Sequence, residues 1–376
     1  MIRTVAVIGA GVAGPAAVLS LAAAGLKVRW FAPPPAPTHD PVGETLSPAA
    51  NPMLAELGLA DAITAAGHRP SHTTLSSWGS PQLLDRNAIL HLEGPGLVLD
   101  RRRFEADLRR AAEKVAERVV DARLAEAHPA QGAWHLSAAT GETLDADALI
   151  DASGRGTAIA RRHGERNRAD RLMAVHAFLD QRDADVEPTP AVLIEAVETG
   201  WWYAALRPDG SLSVAYFTDP DLLVETPTRD VGVWKALIDG TRYVGRWIDD
   251  AGFDPDTAPT LSSAGTTWLA PPAGRVEGAP WMAVGDSAAA FDPLSSHGMT
   301  TALWAGARAG PVLSAALDGD DDALDAYARS VSDGVQAFLD QRRRMYAMER
   351  RFAGAPFWRR RHNVTPPDLA ERAQDK

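Results

Sequence analysis

The sequence predicts an α/β fold in which a parallel sheet carries an inserted antiparallel sheet and is followed by C-terminal helices. Three observations predict it. A strand, a glycine-rich turn and a helix open the chain, short alternating strands occupy about residues 172–218, and a long helical segment follows Gly298. Because 376 residues exceed the usual size of one domain, we expect two interleaved domains.

The chain opens with a predicted βαβ unit. Residues 2–8 are apolar and β-branched, as in a buried parallel strand, and residues 14–24 have helical composition up to Gly25. Residues 27–31 then form the second strand, which completes a unit of about 30 residues. The five prolines of residues 32–41 predict that the chain leaves this unit without regular structure.

The rest of the chain alternates between helical and extended patterns. Helices are predicted over residues 48–57, 101–118 and 298–313. The second helix has an apolar face formed by Phe104, Leu108, Ala111 and Val115. Strands that return to the parallel sheet are predicted around residues 134–136, 148–151 and 281–285. The alternating segment contains turn signals at Gly200 and at Asp209-Gly210, so we expect an antiparallel sheet there.

Composition excludes several functional classes. The absence of cysteine excludes disulfides, thiolate metal sites, cysteine nucleophiles and thioether links to a cofactor, and we predict no metal site. The net charge of −11 argues against a nucleic-acid partner, because neutralising phosphates requires a basic surface. No apolar run reaches the roughly 20 residues that span a bilayer. We therefore expect a cytoplasmic protein without a membrane span.

The glycine-rich turn is the strongest motif. Gly9-x-Gly11-x-x-Gly14 lies directly after the first strand and opens the first helix. Glycines at this spacing let backbone N–H groups and the positive end of a helix approach a pyrophosphate, so the motif predicts a dinucleotide site rather than a turn without a ligand. The acidic residue that normally binds a ribose about 20 residues later is missing, because the second strand ends in Trp30-Phe31-Ala32.

A second turn of this kind lies far downstream. Gly285-Asp286-Ser287 follows a buried strand and leads through Phe291-Asp292-Pro293-Leu294-Ser295-Ser296-His297-Gly298 into a helix. Two such turns favour FAD over NAD, because Asp286 can accept hydrogen bonds from ribityl hydroxyls and the helix start at Gly298 can stabilise negative charge on a reduced flavin. The alternative for this turn is a simple helix cap.

These motifs resemble those of the flavin-dependent monooxygenase superfamily, which includes p-hydroxybenzoate hydroxylase, geranylgeranyl reductases and tryptophan halogenases. Three further segments carry the resemblance: Gly43-Glu44-Thr45-Leu46-Ser47-Pro48, Leu99-Asp100-Arg101-x-x-Phe104 and Asp151-Ala152-Ser153-Gly154-Arg155. The string from Phe291 to Gly298 and the closing Pro356-Phe357-Trp358-Arg359-Arg360 most resemble the halogenase-like monooxygenases that oxidise a tryptophan while maturing quinone-cofactor proteins.

The resemblance implies a Rossmann-like FAD-binding domain of the glutathione-reductase type, similar to that of p-hydroxybenzoate hydroxylase. We assign residues 1–75, 97–170 and 265–325 to this domain, residues 76–96 and 171–264 to a substrate domain, and residues 326–376 to a C-terminal helical segment. The implied cofactor-binding residues are Gly9, Gly11, Gly14, Glu44, Thr45, Arg101, Asp286, Pro293, Ser296 and Gly298. Asp151 lies in the second fingerprint of the family, or it caps the turn into Gly154.

The chain departs from the tryptophan halogenases at two points. No lysine lies between Leu46 and Arg110, where those enzymes carry one. The string Gly200-Trp201-Trp202-Tyr203-Ala204-Ala205-Leu206 matches only the first tryptophan of their Trp-x-Trp-x-Ile-Pro signature. Without an amine to capture hypohalous acid, halogenation by the known route is disfavoured, and oxygen insertion stays open.

We therefore predict an FAD-dependent monooxygenase that hydroxylates an aromatic substrate through a flavin C4a-hydroperoxide, with O2 as co-substrate. The favoured substrate is an indole, either free or as a tryptophan in a peptide or protein. Electrons come from NAD(P)H directly or through a flavin reductase. The alternatives are a halogenase-like enzyme, a reductase or dehydrogenase that does not activate O2, and a non-catalytic flavoprotein that chaperones a maturing partner.

Several side chains are candidates for contact with the substrate. They are Trp78, Trp201, Trp202, Tyr203 and Tyr216. Aromatic residues in strands are more often part of the core, which is the alternative for each of them. His297 is the candidate acid or base near the reacting carbon, or else a loop histidine bonded to the backbone.

The C-terminal portion is basic within an acidic protein. Its arginines are Arg342, Arg343, Arg344, Arg350, Arg351, Arg359, Arg360 and Arg361. One interpretation is a solvated helix face. The other is a docking surface for an acidic peptide or protein substrate.

Overall fold

The computed structural model describes residues 3–34, 43–87, 95–183, 185–223 and 226–363. In chain order the strands are β1 Thr4–Ile8, β2 Lys27–Phe31, β3 Thr45–Leu46, β4 Arg69–Ser71, β5 Thr73–Ser77, β6 Leu84–Asn87, β7 Gly96–Val98, β8 Arg118–Val120, β9 Leu124–Ala130, β10 Ala133–Ala138, β11 Thr143–Ala146, β12 Ala148–Asp151, β13 Glu165–Arg168, β14 Met173–Leu179, β15 Ala191–Val197, β16 Gly200–Leu206, β17 Leu212–Thr218, β18 Thr260–Ser263, β19 Thr267–Ala270, β20 Ala273–Val276, β21 Ala279–Ala283 and β22 Ala289–Ala290. The α-helices are α1 Ala13–Ala23, α2 Asn51–Glu56, α3 Ala60–Ala65, α4 Arg101–Glu113, α5 Val231–Asp239, α6 Val244–Asp250, α7 Gly298–Leu317, α8 Asp322–Met348 and α9 Pro356–His362.

The predicted parallel sheet is confirmed. Six strands lie in the order β20-β21-β12-β1-β2-β8, and all neighbours pair in parallel except β20 with β21. The apolar strand β1 lies inside this sheet, and α1 packs closely against α7. Gly306 and Gly310 permit that approach, because a Cβ at Gly310 would lie 2.2 Å from the carbonyl oxygen of Ser20. The helix of the βαβ unit, α1, therefore packs directly against α7.

Two local predictions were wrong. The helix expected over residues 101–118 ends at Glu113, so Val115 is 44% exposed and Arg118 already begins β8. The strand around Trp134 does not return to the parallel sheet but lies in a separate three-stranded sheet, β11-β10-β9. The reason is its alternation of apolar and polar residues, which suits a sheet with one solvated face, whereas a central parallel strand is buried on both.

The predicted antiparallel sheet has seven strands in the order β18-β14-β17-β16-β15-β5-β6. Neighbouring strands are antiparallel except β15 with β5. One face packs on α5 and α6 through a buried cluster that includes Trp202, Tyr216 and Trp234. We call this the outer face. The opposite face, which carries Trp201 and Tyr203, is called the inner face, since successive side chains of a strand point to opposite sides.

The two C-terminal helices pack by means of arginines that the sequence suggested as a surface. Arg342 on α8 is buried and forms ion pairs with Asp170 at 2.7 Å and with Asp292 at 2.9 Å. Arg361 on α9 is buried and pairs with Asp219 at 2.7 Å. Within the described part of the chain, five of the eight arginines form ion pairs, namely Arg342, Arg343, Arg351, Arg360 and Arg361. A solvated face therefore does not describe Arg342 or Arg361, which fasten the helices to the rest of the molecule.

Within the described residues, no helix is both long and apolar enough to cross a membrane.

Candidate functional site

A cleft of about 390 Å³ lies where the carboxyl ends of β1, β12 and β21 face the inner face of the seven-stranded sheet. Gly11, Ala152 and Val284 contribute the wall on the parallel-sheet side. Crevices at the carboxyl ends of parallel strands are the usual binding sites of such sheets. The cleft is large enough to make it the candidate site of this fold.

The three glycines of the first motif have different positions. Gly9 has φ +121°, and a Cβ there would lie 2.2 Å from the carbonyl oxygen of Ala152. A Cβ at Gly14 would lie 2.1 Å from the carbonyl oxygen of Gly9. Gly11 faces the cleft, with no heavy atom within 4 Å of its Cβ position. Gly9 and Gly14 thus close the turn, and Gly11 leaves its backbone accessible to a ligand.

The starts of two helices face this cleft without side-chain caps. Neither α1 nor α7 has a side-chain hydrogen bond at its N-cap or an acidic residue in its first turn. Their first N–H groups are therefore available to an anionic or electron-rich group. Pro293, Ser296 and Gly298, which lead into α7, line the cleft as well.

Asp286 lies in the cleft beside an arginine that the sequence did not single out as a site residue. Its carboxylate lies 3.4 Å from Nε of Arg155, and its side chain is 37% exposed. Desolvation by the cleft walls raises the pKa of Asp286, although the charges of Arg155 and Arg101 oppose the rise. Arg155 also donates hydrogen bonds to the carbonyl oxygens of Gly265 and Phe291, which fixes the position of its guanidinium.

Arg101 begins α4 and lines the cleft from the side of the Gly43 segment. Its Nη1 donates to the carbonyl oxygen of Gly43 at 2.6 Å, and it forms an ion pair with Glu105. The guanidinium is 11% exposed, so it is held in a defined orientation. It can present positive charge to a ligand in the cleft.

Asp151 caps the turn that follows β12. One carboxylate oxygen accepts hydrogen bonds from the amide and hydroxyl of Ser153, and the other from the amides of Ile159 and Ala160. Ser287 adds a hydroxyl donor at 3.2 Å. The side chain is fully buried and does not line the cleft. Of the two roles suggested by the sequence, the geometry fits the cap.

The end of β2, where an acid was expected, lies beside an arginine of α4. Arg109 donates hydrogen bonds to the carbonyl oxygens of Ala32 at 3.0 Å and Pro33 at 3.2 Å. Its guanidinium lies 5.7 Å from the centre of the Trp30 ring, and the Trp30 indole donates to the carbonyl oxygen of Gly9. This position places a cation near the turn where an acid was expected, and residues 35–42 lie outside the described part of the chain.

Glu44 and Thr45 connect the cofactor side of the cleft to the inner face of the sheet. Glu44 is 1% exposed, and its Oε1 accepts a hydrogen bond from the Ser213 hydroxyl at 3.0 Å. Thr45 shares a hydrogen bond of 2.6 Å with the hydroxyl of Tyr203. Burial raises the pKa of Glu44 against the opposing effects of its own backbone N–H, of Ser213 and of the two arginines Arg101 and Arg207. Burial also raises the pKa of Tyr203.

An aromatic wall, formed by Trp201, Tyr203 and Phe217, lines the inner-face side of the cleft. Trp201 stacks on Phe217 with ring centres 4.0 Å apart and an angle of 19° between the planes. The Trp201 indole donates to the Tyr346 hydroxyl, which donates to Asp292, another cleft residue. Phe217 and Asp292 were not predicted as site residues, although strand alternation from Trp201 would have suggested a partner on β17.

The other candidate substrate residues do not line the cleft. Trp202 and Tyr216 point to the outer face, where they stack on each other at 4.9 Å, because each is one residue away from a cleft position on its strand. Trp78 lies behind the wall, in edge contact with Trp201, and its indole donates to the carbonyl oxygen of Met345.

His297 directly precedes α7 and is half-buried. Burial lowers its pKa, which favours the neutral imidazole. The described cleft wall does not include it, whereas its neighbours Ser296 and Gly298 belong to that wall. The geometry therefore does not bring His297 to the aromatic wall.

Comparison with known proteins identifies the family. The family model described as FAD binding domain matches residues 3–342. The chain belongs to the FAD binding domain family. This FAD-dependent oxidoreductase has its two glycine turns, the first helix start and the cleft within the matched region.

The chain is similar in sequence to a curated oxidoreductase and in fold to solved flavoenzyme structures. It is 27% identical over 95% of its length to LodB of Marinomonas mediterranea, described as an FAD-dependent oxidoreductase, and covers 96% of that protein. Its fold is similar to that of the flavin-dependent halogenase CmlS, with a TM-score of 0.84, 21% identity, 98% of this chain and 68% of the other covered. It is also similar to the peptidyl tryptophan dihydroxylase QhpG, with a TM-score of 0.78, 23% identity, and 96% and 79% covered.

The residues of the cleft fit FAD. A side chain at Gly9 or Gly14 would collide with backbone, so the turn keeps the backbone approach that a pyrophosphate requires. The uncapped starts of α1 and α7 supply two separate groups of N–H donors to one cleft, as a long dinucleotide needs.

Proposed function

We propose that the protein is an FAD-dependent monooxygenase that hydroxylates an aromatic ring, with a tryptophan side chain of a peptide or protein as the favoured substrate. The observation that carries the proposal is the aromatic wall of Trp201, Tyr203 and Phe217, which faces the two helix starts across one cleft. A flat aromatic substrate would stack on this wall and face the cofactor.

The cofactor would be held by residues of both turns. Gly11 and the start of α1 would bind the pyrophosphate, with Gly9 and Gly14 shaping the turn. Asp286 would contact the ribityl chain and Arg101 would help to hold the FAD. Thr45, Pro293, Ser296 and Gly298 would border the flavin ring. Reduced by NAD(P)H or through a flavin reductase, FAD supplies the activation of O2. The division into an FAD-binding domain and a substrate domain belongs to the same proposal.

Two considerations support an indole substrate. QhpG, which shares this fold, acts on a peptidyl tryptophan. Stacking on a tryptophan ring suits a fused aromatic substrate, and the wall would exclude water from the space above the cofactor. The Trp201–Phe217 stack would orient the ring, while the Tyr203 hydroxyl offers one polar contact at its edge.

Halogenation is the second candidate, because the fold is similar to that of the halogenase CmlS. The cleft does not favour it. The lysines of the chain are Lys27, Lys114, Lys235 and Lys376, and the described lining of the cleft contains none of them. Arg101 and Arg155 are its basic residues, and a guanidinium stays protonated and is a poor nucleophile toward hypohalous acid.

Mass spectrometry separates the candidates. The FAD-loaded protein, supplied with NADH, a flavin reductase, air and bromide, is incubated with a tryptophan-containing peptide. A mass increase by whole oxygen atoms, labelled when ¹⁸O₂ is used, is expected. A product with the paired isotope pattern of bromine would instead establish the halogenase, and turnover that proceeds unchanged without O2 would establish a reductase.

A further inference from the structure

Glu44 has an unpartnered oxygen in the wall of the cleft. Ser213 donates to Oε1, but Oε2 is buried and has no hydrogen-bond partner within the described residues. An unsatisfied polar atom of this kind costs free energy, because no hydrogen bond offsets its desolvation. Buried polar atoms in native structures are nearly always paired, so this exception requires an explanation.

A second buried carboxylate of the same chain shows how a purely structural glutamate is arranged. Glu195 is 3% exposed and accepts hydrogen bonds from the backbone N–H groups of Arg242, Tyr243 and Val244 at the start of α6. Both of its oxygens are used within the protein. Glu44 is equally buried but leaves one oxygen unused, and it lines the cleft, which Glu195 does not.

The surroundings of Glu44 place it on the substrate side. Its hydrogen-bond donor, Ser213, lies on β17, two residues from the cleft-lining Ala215 and on the same face of the strand. The adjacent residue, Thr45, bonds to Tyr203 of the aromatic wall. A ring stacked on that wall would therefore present its edge toward the Glu44 carboxyl.

We propose that the Glu44 carboxyl recognises a hydrogen-bond donor on the ring of the aromatic substrate, so that the cleft selects rings with an N–H or O–H, such as indole. This inference rests on the proposed function, because it requires an aromatic ligand in the cleft. It assigns Glu44 to substrate recognition rather than to the cofactor.

The recognition has a chemical consequence. When an electrophilic oxygen attacks an indole, positive charge develops on the ring nitrogen, and a carboxylate at the N–H stabilises that charge. The carboxylate is also a stronger acceptor than the neutral acid. The described charged and titratable groups that act on Glu44 are Arg101, Arg207 and Tyr203. Burial outweighs these arginines, the backbone N–H of Glu44 and the Ser213 hydroxyl, and raises the pKa of Glu44 above the ordinary 4.5. Affinity for an N–H ligand should therefore rise with pH as Glu44 loses its proton.

Calorimetric titration of the FAD-loaded, full-length protein tests this without turnover. The probes are indole, 1-methylindole, and indene, which has the same fused frame without an N–H. We expect indole to bind about tenfold more tightly than either analogue, the scale of one hydrogen bond to a buried acceptor. Indole affinity should rise with pH, with its midpoint above the ordinary carboxyl pKa of 4.5, and indene affinity should not.

Variants identify the residue responsible. In Glu44→Leu the preference for indole should fall to about onefold while FAD affinity is kept. Glu44→Gln retains an acceptor, so it should keep part of the preference for indole but lose the pH dependence. This variant tests the inference if Glu44→Leu does not fold. Glu195→Gln is the control and should change neither the preference for indole nor its pH dependence. Equal binding of the three probes to the wild type, or a preference that persists in Glu44→Leu, would overturn the inference.

The two proposals fail in different ways. If peptides are oxygenated but the probes bind equally, recognition by Glu44 is wrong and the monooxygenase stands. If none of the probes binds and no oxygenated product forms, the aromatic substrate itself is wrong, and the role of Glu44 falls with it.

Discussion

Trp201 and Trp202 are adjacent in the sequence and point to opposite faces of β16. Trp201 stacks on Phe217 in the cleft, and Trp202 stacks on Tyr216 under α5. Because both tryptophans lie in one alternating strand, the sequence predicts that they point to opposite faces of the sheet, one toward a core and one toward a different environment. It does not say which, because that depends on where α5 packs, about 30 residues later in the chain.

A matched pair of substitutions separates the two roles. Trp201→Phe should weaken the binding of indole severalfold, because it removes ring area from the wall and the donor to Tyr346. Trp202→Phe should leave indole binding unchanged and lower the free energy of unfolding by about 1–3 kcal/mol, as core substitutions do. Calorimetry and urea unfolding measure the two effects. Equal losses of affinity in both variants would contradict the assignment of the faces.

At the scale of elements, α8 and α9 show what local patterns cannot reveal. The arginine-rich C-terminal portion was recognisable, but one of the two ion-pair partners of Arg342 is Asp170, which lies 172 residues earlier. A helix with many arginines is more often a solvated surface, and only the packing of α8 on the loop after β22 makes Arg342 an interior residue. The end of α4 at Glu113 could likewise not be predicted, because no glycine or proline marks it.

Arg342 and Arg344 provide a test of this arrangement. Arg342→Ala leaves two buried carboxylates, Asp170 and Asp292, without their cation, so we expect a loss of about 3–5 kcal/mol in the free energy of unfolding. Arg344→Ala removes an exposed arginine and should change it by less than about 0.5 kcal/mol. Guanidinium unfolding of both variants gives the comparison. Similar stabilities would mean that α8 is not fastened by Arg342.

The attachment of α9 should depend on pH. Burial alone would raise the pKa of Asp219, but hydrogen bonds and charge from Arg361 and Arg360 lower it below the ordinary 3.8. A lowered carboxylate pKa stabilises the fold above that value and loses this effect as the pH falls through the folded-state pKa. Asp219→Asn should therefore cost about 3–5 kcal/mol at pH 7, where it leaves Arg361 buried without an opposite charge.

The difference between the wild type and Asp219→Asn should narrow only below about pH 4, as Asp219 takes up a proton in the wild type. Unfolding free energies measured from pH 7 to pH 3 give the curve. A difference that stays constant across this range would show that the ion pair does not hold α9.

At the scale of the whole molecule, the sequence was sufficient for the fold class and for both turns that face the cleft. Gly9-x-Gly11-x-x-Gly14 follows β1 directly and Gly285-Asp286 follows β21, so each lies at the carboxyl end of a parallel strand wherever the rest of the chain goes. Only part of the aromatic wall could be predicted from the sequence, because Phe217 joins Trp201 through the register of β16 and β17. The burial of Glu44 could not be predicted from the sequence at all, since it depends on contact with β17.

Cofactor binding should be measurable as stability of the whole chain. FAD at one hundred times its Kd should raise the free energy of unfolding by about 2.7 kcal/mol. In Asp286→Ala, which removes a carboxylate from the cleft, a tenfold weaker Kd would reduce this gain by about 1.4 kcal/mol at the same FAD concentration. Thermal unfolding with and without FAD measures both. An undiminished gain in the variant would exclude Asp286 from the cofactor site.

The two faces of the seven-stranded sheet also bear on how such an enzyme can change. Inner-face positions such as Trp201 and Phe217 line the cleft, and outer-face positions such as Trp202 and Tyr216 pack with α5 and α6. Since the two sets alternate along the same strands, a library restricted to inner-face positions would explore new substrates while leaving the packing that folds the domain intact. During evolution, substitutions at every second residue of these strands can change substrate preference, while the residues between them preserve the packing of the fold.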